Sequence, residues 1–173
     1  FKIGVGPSSS HTLGPIIAAN TFCKLLENKN LLEKTHQINC TLFGSLSLTG
    51  KGHLSDKALL WGLSGITPKE ITASVQEKIL KGVFENKTLN LFGKKEISFV
   101  YEKNMHFCND FLPLHENAME FCAYGDDKKL LLQERYYSIG GGFIKDQMQM
   151  QQDSTTQATN QPLQINNAKE LIQ

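Results

Sequence analysis

The chain has 173 residues, a formal net charge of +1, 40% hydrophobic and 20% charged side chains. That is enough for one domain with its own core but short for two, and it gives no electrostatic case for nucleic acid or an anionic membrane. No apolar run reaches bilayer-spanning length and no charged, apolar leader opens the chain, so a cytoplasmic protein is expected.

The opening, Gly4-Val-Gly-Pro-Ser-Ser-Ser-His-Thr-Leu-Gly-Pro15, is glycine-rich and then turns helical. Pro15 suits the first helical position, where its missing N–H costs nothing. Ala18, Ala19, Phe22, Leu25 and Leu26 recur at helical spacing, and the helix is expected to stop near Asn28–Asn30. His36 to Phe43 alternates apolar and polar residues and reads as a strand. Gly44 to Leu54 reads as a loop. Ser55 is the expected N-cap of the next helix, with Asp56 in its first turn and Ala58, Leu59, Leu60 and Leu63 on its core side. Pro68-Lys-Glu-Ile is expected to start another helix, carried by Val75, Ile79 and Leu80.

From Leu89 the texture changes. Leu89–Phe92, Glu96–Glu102, His106–Cys108, Ala118–Tyr124 and Leu130–Tyr137 are short runs between turn residues, the pattern of an antiparallel meander. Gly140-Gly-Gly142 allows a sharp change of direction. Helices first and strands later predict an α+β fold, with helices packed on an antiparallel sheet. Residues 147–164 are rich in Gln, Thr and Asn and read as a polar linker. Ile165 to Ile172 then looks like the start of a new helix, so the chain is expected to be a fragment of a larger protein. The expected division is 1–146, 147–164 and 165–173.

Polar chemistry concentrates in three loops: the opening one, Gly44-Ser-Leu-Ser-Leu-Thr-Gly-Lys-Gly-His-Leu-Ser-Asp56, and Leu112-Pro-Leu-His-Glu-Asn117. Hydroxyls, an amide and a histidine on glycine-rich backbone suit a small anionic or zwitterionic substrate. Gly44 to Gly52 is not a phosphate-binding P-loop. It has one residue too many before Gly50-Lys51, and Gly52 stands where a magnesium-binding hydroxyl is needed. Gly4-Val-Gly6 is followed at once by Pro7 and lacks the third glycine of a dinucleotide fingerprint. Cys23, Cys40, Cys108 and Cys122 form no Cys-x-x-Cys pair and are expected to be reduced, with no metal site assigned to them.

Together with Tyr136-Tyr-Ser-Ile-Gly-Gly-Gly-Phe143, the motifs Phe1 to Pro15, Gly44 to His53 and Leu112 to Met119 resemble, in order, four signatures of the bacterial iron–sulfur L-serine dehydratases. The resemblance covers residues 1 to 146. It implies the N-terminal, β domain of such an enzyme, with a fold similar to the allosteric substrate-binding domain of some phosphoglycerate dehydrogenases. It also implies deamination of L-serine to pyruvate and ammonia without pyridoxal phosphate. The 4Fe-4S cluster would be ligated outside this chain, in a helical α domain of the same polypeptide or a partner subunit. The isolated chain is therefore expected to be inactive.

Within that resemblance His53, His11 and His115 are the candidate catalytic residues. An unperturbed histidine titrates near working pH. Ser8, Ser9, Ser10, Thr49, Gly50, Lys51, Gly52 and Asn117 are the candidate substrate contacts. His36 and His106 are assigned no role. Leu54 stands where the family often has a second histidine. The alternative is a serine-sensing regulatory or dimerisation module without a catalytic role, and homodimerisation through a strand edge is open.

Overall fold

The computed structural model describes residues 9–49 and 54–153. A wide helical turn, Ser9–Leu13, leads into α1 (Gly14–Asn28), which starts where Pro15 permits. Ile16, Ala18, Ala19, Phe22, Cys23 and Leu26 form its buried stripe. Asn30, at φ 59°, ends the helix, and the Leu31 N–H returns to the Leu26 carbonyl at 2.8 Å. A left-handed residue just past the last turn is the usual way to satisfy terminal carbonyls.

Strand β1 (Gln37–Phe43) alternates as expected, burying Ile38, Cys40 and Leu42. The next segment differs from the sequence reading. Residues Gly44–Thr49 form a short helix, α2, rather than a loop. In α3 (Ser55–Leu63), Ser55 is not the cap. Leu54 takes that place in the left-handed region at φ 64°, and the Ser55 hydroxyl donates to the His11 carbonyl instead.

The helix expected from Pro68 begins later, as α4 (Ala73–Lys81), capped by Thr72, whose Oγ1 accepts from the Val75 N–H at 3.2 Å. Glu70 closes residues 67–70 into a turn by accepting from both the N–H and hydroxyl of Thr67, each at 3.0 Å. Those hydrogen bonds hold its carboxyl below the usual range. Ile71, buried with Ile16, Ala58 and Trp61, pins the chain before a helix can start.

Strands β2 (Thr88–Leu91) and β3 (Lys95–Ser98) form a separate hairpin, tied to α3 by the Phe92 N–H on the Leu63 carbonyl at 2.6 Å. The strand expected over Glu96–Glu102 ends at Ser98. Phe99 turns into the core, and Asn104 folds back to accept from the Val100 N–H at 2.8 Å, making a one-turn helix, α5 (Tyr101–Asn104).

The remaining strands are β4 (Met105–Cys108), β5 (Asn117–Tyr124), β6 (Leu130–Gly140) and β7 (Phe143–Asp146), in a sheet ordered β4-β1-β5-β6-β7. The expected α+β class holds, but the sheet is mixed. Strand β4 lies parallel to β1, and the other neighbours are antiparallel. A parallel neighbour needs a long crossover, which residues 44–104 supply. Residues 147–153 are helical, with Asp146 and Gln149 exchanging side-chain bonds to each other's N–H at 2.8 Å.

Helix α1 covers one face of the sheet and packs against α3. Phe22 stacks on Phe121 at 5.2 Å, and Tyr136 meets Phe121 edge-on at 5.9 Å. Each such fully buried side chain contributes about 1.5–3 kcal/mol. Gly62 sets the approach of α1 and α3. A Cβ there would lie 2.5 Å from the Ile16 carbonyl and 2.7 Å from the Ala19 Cβ. Asn20 spans the same crossing, donating to the Gly62 carbonyl at 2.7 Å. The opposite face of the sheet carries Glu120, paired with Arg135 at 3.0 Å, and Arg135 over the Phe43 ring. No described helix is long and apolar enough to cross a membrane.

Candidate functional site

The polar motifs converge at one end of the sheet. Gly44 ends β1 at φ 54° and bridges to Asn117, the first residue of β5. A Cβ at Gly44 would lie 2.7 Å from the Glu116 carbonyl and 2.9 Å from the Phe111 ring, so only glycine lets the two segments meet. The Ser45 N–H donates to the Glu116 carbonyl at 2.9 Å. The Ser45 hydroxyl lies 3.2 Å from His11 Nε2, which joins the first motif to the second. Ser55 then ties the start of α3 to the His11 carbonyl.

The third motif orders itself locally. His115 Nδ1 accepts from the Asn117 N–H at 3.0 Å. In a neutral ring that assigns the proton to Nε2, so His115 presents a donor. Asn117 Nδ2 donates to the Ser138 carbonyl on β6 at 3.3 Å, bringing in the fourth motif. Asn117 is 7% exposed and Ser138 0%. Yet among the described residues Asn117 Oδ1 and Ser138 Oγ have no hydrogen-bond partner, and a buried polar atom left so costs about 1–3 kcal/mol. Beyond Ser138, Gly140, Gly141 and Gly142 all have positive φ. A Cβ at Gly142 would face Ile17 and Leu13, so the turn passes beneath the start of α1.

Of the residues singled out in the sequence, His11, His115 and Asn117 belong to this cluster. Ser8, Gly50, Lys51, Gly52 and His53 lie outside the described residues. Only the backbone of Ser9, Ser10 and Thr49 is described, as helical. Ser45 and Ser138 sit inside the second and fourth motifs without an expected role, and Ser55 is expected only as a cap. Asp56, expected only in the first turn of α3, is 3% exposed; its Oδ2 accepts from the Tyr101 hydroxyl while Oδ1 has no partner among the described residues. Burial, and then Asp56 itself, push the Tyr101 phenol up. A separate groove of about 590 Å³, lined by Ile66, Val75, Lys78, Ile79, Asn90 and Glu96 among others, shares no residue with the motif cluster.

The cysteines stand apart from this end of the sheet in chemistry. Burial pushes the Cys23 thiol up to about 12 and that of Cys40 well above its ordinary value. Cys122 is raised too, by burial and then by Glu120. Among the described residues no group of three His, Cys, Asp or Glu is placed to hold a metal ion. Since the thiolate is the reactive form, Cys23 and Cys40 are expected to stay silent to a disulfide reagent at pH 8 in the native chain. Cys108, half-buried on edge strand β4, should react first, and all four in urea. Rapid native labelling of Cys23 or Cys40, mapped by peptide mass, would contradict this packing.

A family model described as serine dehydratase beta chain matches residues 1–149. An L-serine dehydratase of Helicobacter pylori is 49% identical over 144 residues, 83% of this chain and 31% of that protein. L-serine dehydratase 1 of Escherichia coli is 40% identical over 173 residues, 99% of this chain and 38% of that protein. An L-serine dehydratase of Streptomyces coelicolor is 38% identical over 148 residues, 85% of this chain and 32% of that protein. The chain thus spans about a third of the length of these relatives, 31–38%.

Proposed function

Because the chain belongs to the serine dehydratase beta chain family, we propose that it is the β part of an enzyme that deaminates L-serine to pyruvate and ammonia, the motif end of its sheet forming one wall of the active site. The single observation that carries this reading is the meeting of His11, Ser45, His115, Asn117 and Ser138 at one sheet end, from four separate motifs.

The chemistry must remove a weakly acidic Cα proton and expel hydroxide from the β-carbon. The aminoacrylate left behind tautomerises to an imine and hydrolyses. His115, with Nδ1 already engaged by the Asn117 N–H, serves as a donor through Nε2, toward the substrate carboxylate or the departing hydroxide. His11, against the Ser45 hydroxyl, can pass a proton in either direction. His53 is assigned the proton abstraction from Cα. Ser8, Ser9, Ser10, Thr49, Gly50 and Gly52 supply hydroxyl and backbone contacts, and Lys51 a positive charge for the carboxylate.

The family resemblance also implies a 4Fe-4S cluster. The donor set described here does not fit one: Cys23 and Cys40 are core thiols held in the protonated form, and cluster ligands are thiolates. In this reading its ligands belong to the rest of the protein.

The test is a pyruvate assay on the full-length protein under anaerobic conditions, with L- and D-serine. L-serine alone should be consumed, and the 173-residue chain by itself should produce nothing. No pyruvate from the full-length protein would refute the assignment. A regulatory reading, with L-serine bound by this domain alone, is favoured by the polar cluster lying within one chain. L-selective amide shifts around His11 and Asn117 in the isolated domain would support it.

A further inference from the structure

We infer that Asn117 and Ser138 form an acceptor subsite for the ammonium group of an α-amino acid, an inference that rests on the serine-site reading above and deepens it. Side chains two residues apart on a strand share a face. Asn117 therefore points to the same side as Met119 and Phe121, and Ser138 to the same side as Tyr136, which is the core side beneath α1. The ladder pairs Ala118 with Tyr137, so Asn117 and Ser138 occupy the next step, at the last rung before the glycine turn.

The amide orientation of Asn117 is settled by its own bond. Nδ2 donates to the Ser138 carbonyl, which leaves Oδ1 as a pure acceptor. Ser138 Oγ adds a second acceptor. Both atoms are buried, neither has a partner among the described residues, and they do not bond each other. An ammonium carries three N–H donors and no acceptor, so it satisfies the pair. A carboxylate would face Oδ1 as one acceptor against another. An α-hydroxyl can reach the same pair, but without charge assistance, so the subsite favours amino acids over their hydroxy-acid analogues, while the His115 Nε2 donor serves the opposite, anionic end of the same molecule.

The experiment uses the full-length protein. It compares KM for L-serine with the inhibition constant of L-glycerate, which keeps the carboxylate and hydroxymethyl groups and replaces ammonium by hydroxyl. Ser138→Ala and Asn117→Leu should each raise KM for L-serine about tenfold, the effect of losing one charge-assisted hydrogen bond. The inhibition constant for L-glycerate should move much less. Ser138→Ala is the smaller change and keeps the comparison available if Asn117→Leu fails to fold. Equal loss of both ligands, or no change in either, overturns the subsite alone. So does a crystal structure with L-serine bound in which water, and not the ammonium, sits on Asn117 Oδ1. A wild type inert toward L-serine overturns the functional reading. Calorimetry showing no binding of any α-amino acid would then overturn the subsite as well.

Discussion

Replacing Gly44 by alanine is expected to remove a large part of the protein's stability. Its φ of 54° is left-handed, which costs a residue with a Cβ roughly 1–2 kcal/mol. The new methyl would also press on the Glu116 carbonyl at 2.7 Å and the Phe111 ring at 2.9 Å. Phe111 is 56% exposed and can swing away. The carbonyl cannot, because it accepts from the Ser45 N–H and its neighbour Asn117 bridges to Gly44 itself. Overpacking of this kind costs about 1–3 kcal/mol, against a total of about 5–15 kcal/mol for a domain. Thermal unfolding should shift down by roughly 4–20 °C for a chain of this length. The comparison is Gly82→Ala, where a Cβ meets only Thr88 atoms at 3.7 and 4.0 Å, in ordinary contact. That change should stay within about 0.5 kcal/mol. Equal melting temperatures for the two variants would mean that the β1–β5 junction is not held as described.

Replacing His53 by alanine in the full-length protein is expected to lower turnover by about 10²–10⁴, the range for loss of a general acid or base. The segment that carries it is anchored beyond His53. Leu54 holds a left-handed backbone, Ser55 bonds the His11 carbonyl, and buried Asp56 bonds Tyr101. The substitution should therefore leave thermal unfolding unchanged, which separates a chemical role from a structural one. His106, exposed on β4, is the control, and its alanine variant should turn over L-serine normally. Near-normal pyruvate formation by the His53→Ala protein would end the catalytic assignment.

Several elements were legible because their cause is local. The stripe Ala18, Ala19, Phe22, Leu26 and the alternation Ile38, Cys40, Leu42 each report a single buried face, and α1 and β1 appear where those patterns lie. The short helix α2 was not legible. Its residues are glycine, serine, threonine and leucine, and it forms beneath a β1–β5 junction made by residues far along the chain. The same holds for Ser55. Its composition and place suit a cap, but a carbonyl 44 residues earlier takes its hydroxyl. In α5, the Asn104 amide that closes the turn on Val100 also reaches Asn39 on β1 at 2.8 Å, a partner 65 positions away.

The α+β class, most of the strands and the four motifs that mark the family are legible in the residues alone, because periodicity and glycine placement act over a few residues. That β4 runs parallel to β1 follows only from the assembled fold. So do the meetings of His11 with Ser45 across 34 positions and of Asn117 with Ser138 across 21. Which polar atoms remain unsatisfied depends on everything packed around them, and burial at that range has no local signal in the chain.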